Sequence, residues 1–306
     1  MIETAEAPSS RMIEGAAPPA APSDVTKRVR RGVGRHPRGL PGSALSLGWV
    51  ALVVVVVLVP LGYLVSLSLM TQGQISAGLL FPSDPAWQNW GNAWNSAIPR
   101  GITNSLIAAF LGSLLTLALA VPGAWTIVRH RTGGSALSGL ILSPWLLPPV
   151  VAIIPLLTLL RMLGLINTLP GLTLVYALMN VPVAIWLLDG FIRRIPVEIE
   201  EAARLDGAGE LQLLRRVVVP VLGPALIAVG VIVVILNYNE FLFATFLTQS
   251  EGSQTVPVVL AGMLSERVQD FGRIAASSLL AIIPIFTIAV LLQRHLVEGL
   301  TTGAVK

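Results

Sequence analysis

The sequence predicts an all-α integral membrane protein with six transmembrane helices, both termini cytoplasmic, and a polar helical hairpin between spans four and five. Three observations lead there. The 306-residue chain is 54% hydrophobic with a mean hydropathy of +0.78, and its uncharged runs are too long for a water-soluble domain of this size to bury in one core. Six of those runs reach the roughly 18 residues that a helix needs to cross a hydrocarbon layer of about 30 Å. The basic residues beside them are unevenly shared, which predicts a sidedness.

The runs are Ala44 to Leu69, Ile102 to Val128, Ser135 to Leu160, Ile166 to Leu188, Val217 to Asn239 and Ile274 to Gln293, the fifth continuing through "EFLFATFL". Pro60, Pro122, Pro144, Pro148, Pro149, Pro155, Pro182 and Pro284 lie inside them. Membrane helices tolerate proline where neighbours satisfy the freed carbonyls, so several spans are predicted to kink or break.

Residues 1–43 are rich in Ala, Pro, Ser and Gly and close on "KRVRRGVGRHPRG". That composition offers too little apolar surface to fold alone and predicts a disordered basic cytoplasmic tail ahead of a transmembrane domain at 44–306. A basic stretch before an apolar one also fits a secretory signal. The run after it is longer than a signal core and lacks a clear small-residue cleavage site, which favours a retained anchor.

With the N-terminus cytoplasmic, inner segments hold all but four of the 20 Lys and Arg residues. The four outer ones are Arg100, Arg161, Arg267 and Arg273. Inner basic residues are the expected pattern, and their placement explains the sequence pI near 10.1 without any nucleic-acid partner. The outer segment after span one carries Trp87, Trp90 and Trp94, amphipathic rings suited either to the membrane interface or to an external partner protein.

Several chemistries are excluded. The chain has no cysteine, hence no disulfide and no thiolate nucleophile or ligand. A G-x-x-x-x-G-K-[ST] loop needs a lysine, and only Lys27 and Lys306 exist, neither in such a context. His36, His130 and His295 show no metal-ligand spacing, and there is no G-x-S-x-G elbow. No catalytic residue, metal or bound cofactor is predicted.

Polar residues within the spans are few. Asp189 stands four residues before Arg193, a spacing that pairs them on one helix face. Arg161 ends the third span, where it can snorkel outward. In "NYNEFLF", Asn237, Asn239 and Glu240 lie in the outer half of span five. They are candidates for a polar solute path, together with Asn104 and Asn180; helix-to-helix hydrogen bonding is the alternative use of such residues.

The charge-dense stretch "EIEEAARLDGAGELQLLRRVVVP", Glu198 to Pro220, reads as helix, turn, helix. Pro196 suits a helix start, the early glutamates suit the helix dipole, and Gly207 supplies the break. Val197, Ala202, Leu205 and Ala208 form a small apolar face on the first helix; Leu211, Leu213 and Leu214 do so on the second, about Gly209 to Val217. So short a hairpin must dock onto something to hold its shape.

Glu201, Ala202 and Ala203, then Gly207 after three residues, then Val217, Val219 and Pro220 after nine more, resemble the E-A-A, G, I-x-L-P motif of the permease subunits of bacterial ABC importers. Valines stand where Ile and Leu are commonest. The form "EEAARLDGA", the fifth-span "NYNEFLFATFLT" and the ending "HLVEGLTTGAVK" are similar to the carbohydrate permeases related to the second permease of the maltose importer. The resemblance covers residues 44–306.

It implies a multi-pass subunit of the bacterial inner membrane that pairs with a second, different permease. The partners implied are two ATPase subunits, which hydrolyse ATP, and an extracytoplasmic solute-binding protein. The segment 192–220 becomes the coupling loop, with Glu201, Ala202, Ala203, Arg204, Asp206 and Gly207 at the ATPase contact, and the C-terminal "GLTTGAVK" reaches toward the ATPase interface. A permease for a phosphorylated polyol or other organic solute is the alternative within this class. A secondary transporter is the alternative outside it, but the sequence shows neither a proton-relay cluster nor an evident repeat.

Overall fold

The computed structural model describes residues 42–130 and 149–304, with side chains from 46 to 293 within those ranges. The predicted tail up to Pro41 and the segment 131–148, which includes the first half of the predicted third span, lie outside the described residues. The side chains of "GLTTGAVK" do so as well.

All regular structure among the described residues is helical: α1 (Gly42–Ser68), α2 (Gln72–Ser76), α3 (Gln88–Trp94), α4 (Ile98–His130), α5 (Val150–Met162), α6 (Leu169–Ile192), α7 (Val197–Leu205), α8 (Glu210–Val221), α9 (Gly223–Tyr238), α10 (Leu242–Leu247), α11 (Val256–Leu264) and α12 (Phe271–Ala304). The chain divides into two units, 1–56 and 57–306. Of the first, the opening half of α1 is described.

Among the described residues four helices are long and apolar enough to cross a membrane: Ser46–Ser68, Ile98–His130, Leu169–Ile192 and Phe271–Gln293. They correspond to predicted spans one, two, four and six. The shorter α5 falls largely within the predicted third span, and it stops before Gly164, whose φ is +68°.

The fifth run is not one continuous helix. α8 extends four residues beyond Val217, the predicted end of the hairpin's second helix, and meets α9 at 79°. The cause is local: Pro224 has no N–H to give the carbonyl of Pro220 and its ring crowds it, so the helix restarts with Pro224 in its first turn. A single π turn over Leu214–Val218 precedes the bend.

Nor does α9 run on through "EFLFATFL". It ends at Tyr238, and the Glu240 carboxylate accepts the backbone N–H groups of Phe243 at 2.8 Å and Ala244 at 3.1 Å. A side chain bonded to the following amides starts a new helix, α10, rather than continuing the old one.

In the second unit α4 is the central rod. Gly101, Ser105, Ala108, Ala109, Gly112, Thr116, Ala120 and Ala124 are buried along it at three- and four-residue spacing. Small residues let helix backbones approach closely where lipid supplies no hydrophobic drive between helices. At Gly112 an added Cβ would lie 3.2 Å from Tyr176 Cβ of α6 and 3.1 Å from Asn237 Nδ2 of α9. Thr116 Oγ1 donates to the Ala177 carbonyl at 3.1 Å, and Ser113 Oγ to that of Gly230 at 3.0 Å.

Candidate functional site: the hairpin between α6 and α9

The hairpin is built by its turn. Gly207 takes φ +84°, a left-handed conformation that strains any L side chain. Its N–H bonds the carbonyl of Arg204 at 3.0 Å, and that of Ala208 bonds Ala203 at 3.0 Å, a Schellman closure of α7. The Gln212 side chain then accepts the Gly209 N–H at 3.3 Å to start α8. Across the turn Arg204 clasps Glu210 with two hydrogen bonds, at 3.1 and 3.3 Å.

That guanidinium holds the Glu210 carboxyl below its ordinary range. A depressed carboxylate stabilises above its unfolded pKa, and the contribution is lost as pH falls through the lower folded value. The clasp is therefore complete at neutral pH and released only in acid.

One face of the hairpin packs onto the rest of the chain. Leu213, Val218 and Leu222 are buried with Ala124, Trp125, Leu188, Ile192 and Ile195. Each fully buried aliphatic side chain is worth roughly 1.5 to 3 kcal/mol. The opposite face is free: Leu205 is 90% exposed and Leu211 63% exposed, beside exposed Glu201, Ala202, Asp206 and Gly207. Ala203 and Arg204 are partly buried. The motif residues thus gather at the free tip and its flank.

Sequence reasoning missed the residue that anchors this arrangement. Glu200, read only as an early-turn acid, is fully buried, 0% exposed. Its carboxylate accepts Arg129 Nε at 2.7 Å and Trp125 Nε1 at 3.3 Å, both from the end of α4. Arg129 also donates to the Ile195 carbonyl at 2.7 Å. No local signal marks Glu200 among its acidic neighbours; its partners are some 70 residues away in sequence. The predicted Asp189–Arg193 pair is present, with two contacts of 2.8 Å.

The five polar path candidates fall in different surroundings. Asn180 Nδ2 donates to Asn237 Oδ1 at 2.8 Å, and Asn237 donates to the Ala109 carbonyl at 3.3 Å, so this buried pair joins α6, α9 and α4. Asn104 donates to the carbonyls of Glu251 and Gln254 at 3.1 and 2.9 Å. Asn239 is exposed, with its amide bonded to the Ile235 carbonyl of its own helix at 2.8 Å. Glu240 and Asn180 share the wall of a 250 Å³ cavity with Met179, Leu236 and Phe243.

Comparison with known proteins agrees with this architecture. Residues 112–302 match the family described as binding-protein-dependent transport system inner membrane component. The trehalose transport system permease protein SugB of Mycobacterium tuberculosis is 34% identical over 83% of this chain and 94% of its own length. The melibiose/raffinose/stachyose import permease protein MelC of Bacillus subtilis is 31% identical over 81% of this chain and 91% of its own. A crystal structure of a bacterial ABC transporter involved in the import of the acidic polysaccharide alginate superimposes with a TM-score of 0.71 at 21% identity, covering 82% of this chain and 95% of that one.

The chain therefore belongs to the family of binding-protein-dependent transport system inner membrane components. It is a multi-pass permease subunit of an ABC importer in the inner membrane, not an enzyme.

Proposed function

We propose that this chain forms half of the translocation path of a sugar importer and that its hairpin, 192–220, is the element gripped by a partner ATPase. In this reading six spans cross the membrane with both termini and the hairpin cytoplasmic. A second, different permease completes the path, two ATPases hydrolyse ATP, and an extracytoplasmic binding protein delivers the solute. The carrying observation is the two-sidedness of the hairpin: one face is anchored to α4 and α6, while Leu205, Leu211 and Glu201 lie exposed on the other. The relatives that move trehalose and the melibiose group of sugars support a carbohydrate as solute.

In this scheme ATP-driven approach of the two ATPases displaces the paired hairpins and switches the path from one open side to the other. Glu201 makes the charged contact, Ala202 and Ala203 admit close approach, and Gly207 sets the turn. Reversal of charge in Glu201→Lys is expected to abolish uptake while the chain remains inserted at its usual level. Wild-type uptake by that variant would sink the assignment.

The path itself is assigned to the cavity shared by Asn180 and Glu240 and to the exposed Asn239 beside it. Hydroxyl-rich solutes need acceptors, and a carboxylate with spare lone pairs is a good one. Glu240→Gln keeps a capping oxygen for α10. It is expected to raise the KM of uptake several-fold at unchanged protein level; an unchanged KM would leave Glu240 as a cap only.

A further inference from the structure

The hairpin's sequence-adjacent connections are both bent, whereas its connection to a remote helix is a buried ion pair. α6 leaves through the turn Arg193–Pro196, and α8 enters α9 through a 79° bend. Bends of this kind absorb displacement. Glu200, by contrast, is held at 2.7 Å by Arg129, itself only 11% exposed, with Trp125 donating to the second carboxylate oxygen. The other hairpin arm also meets this helix end: His130 Nε2 lies 3.8 Å from Glu210 Oε2, and its ring stands edge-on to Trp125 at 5.4 Å.

Such a pair is poorly explained as a source of stability. Removing two charges from water is costly, and apolar replacements of similar volume are often neutral or stabilising; fixing a unique register is the better-attested use.

The far end of α4 is tied just as specifically. Asn104 holds the carbonyls of Glu251 and Gln254, Ser105 Oγ accepts the Val256 N–H at 2.9 Å, and Arg100 pairs with Glu251 at 3.4 Å. From Asn104 to Arg129 the helix is about 38 Å long at 1.5 Å per residue. One rod thus grips the hairpin at one end and the segment 251–256 at the other.

We propose that α4, not the spans adjoining the hairpin in sequence, carries the hairpin's displacement across the protein, with Glu200 and Arg129 as its positioning pair. The hairpin then moves as a unit with α4, and the segment 251–256 responds at the opposite end. This rests on the reading of the hairpin as the ATPase contact.

The test uses the whole importer, chain, second permease, ATPases and binding protein, reconstituted in liposomes. Co-purification of the ATPase is measured first, then solute taken up per ATP hydrolysed. For Glu200→Gln the ATPase is expected to remain bound, while uptake per ATP falls by about five- to 150-fold, the usual span of a coupling between sites. Unchanged uptake per ATP in the assembled variant overturns the proposal.

If the unpaired Arg129 prevents assembly, the double variant Glu200→Leu with Arg129→Met removes both charges. Low coupling in that assembled complex supports the proposal. Wild-type coupling, or failure of this charge-free variant to assemble, assigns the pair to stability alone and overturns it. Failure of the underlying reading looks different: the ATPase would stay bound, with normal uptake, when Glu201→Lys alters the free face.

Discussion

Gly207→Val is expected to cut uptake by about tenfold or more while leaving the chain inserted, because a β-branched residue at positive φ costs at least roughly 1 to 2 kcal/mol. The backbone there sits at φ +84°, and no neighbouring atom lies within 4 Å of an added Cβ. The penalty is therefore conformational rather than steric. To relieve it the residue must leave the left-handed region, which breaks the bonds of Gly207 and Ala208 to Arg204 and Ala203 and swings α8 away from α7. Gly207→Asn, the substitution best tolerated at positive φ, is expected to retain most uptake. Uptake of the Val and Asn variants distinguishes this account from one in which small size alone matters: equal loss in both would favour size.

Leu205→Asp is expected to weaken ATPase association by on the order of 30-fold, as loss of an interface anchor worth about 2 kcal/mol does. An apolar side chain 90% exposed at a hairpin tip is tolerable in water only at some cost. It becomes favourable when a partner covers it, and a carboxylate in its place must be desolvated. Leu205→Met is expected to bind as the wild type. The readout is ATPase retained on the purified chain as salt and detergent are held constant. Full retention by the Asp variant would remove Leu205 from the contact.

What was legible in the sequence and what was not divide along physical lines. Apolar length marked spans one, two, four and six, because it is a local property that lipid selects directly. The hairpin turn was legible at Gly207 for the same reason: one residue type answers one backbone need. The break at Leu222 falls inside the fifth predicted run, between Pro220 and Pro224, but its position was not legible; membrane prolines kink some helices and end others, and apolar composition does not say which. The stop at Tyr238 was likewise hidden, because Glu240 can line a cavity and cap a helix at once.

The stripe of small residues from Gly101 to Ala124 was visible as spacing but carries meaning only beside Tyr176, Ala177 and Gly230, its partners in α6 and α9. Glu200 was the least legible position. In "EIEEAARL" it looks like its neighbours, and only the fold turns its side chain inward onto Arg129 while Glu201 faces out. A helical rotation of 100° per residue separates the two roles. The acidic cluster is thus two things, an internal anchor and an external contact.

The absence of native cysteine permits a direct measurement of the central claim, that the free face of the hairpin meets the ATPase. A single cysteine is introduced by Leu205→Cys, or by Phe81→Cys in the segment after α1 as a control, since both side chains are largely exposed. A short bifunctional reagent is then applied to the assembled, transporting complex in membranes. The account expects a covalent adduct between this chain and the ATPase from position 205 and none from position 81. No adduct from position 205 in a complex that still transports, or equal yields from both positions, would contradict it.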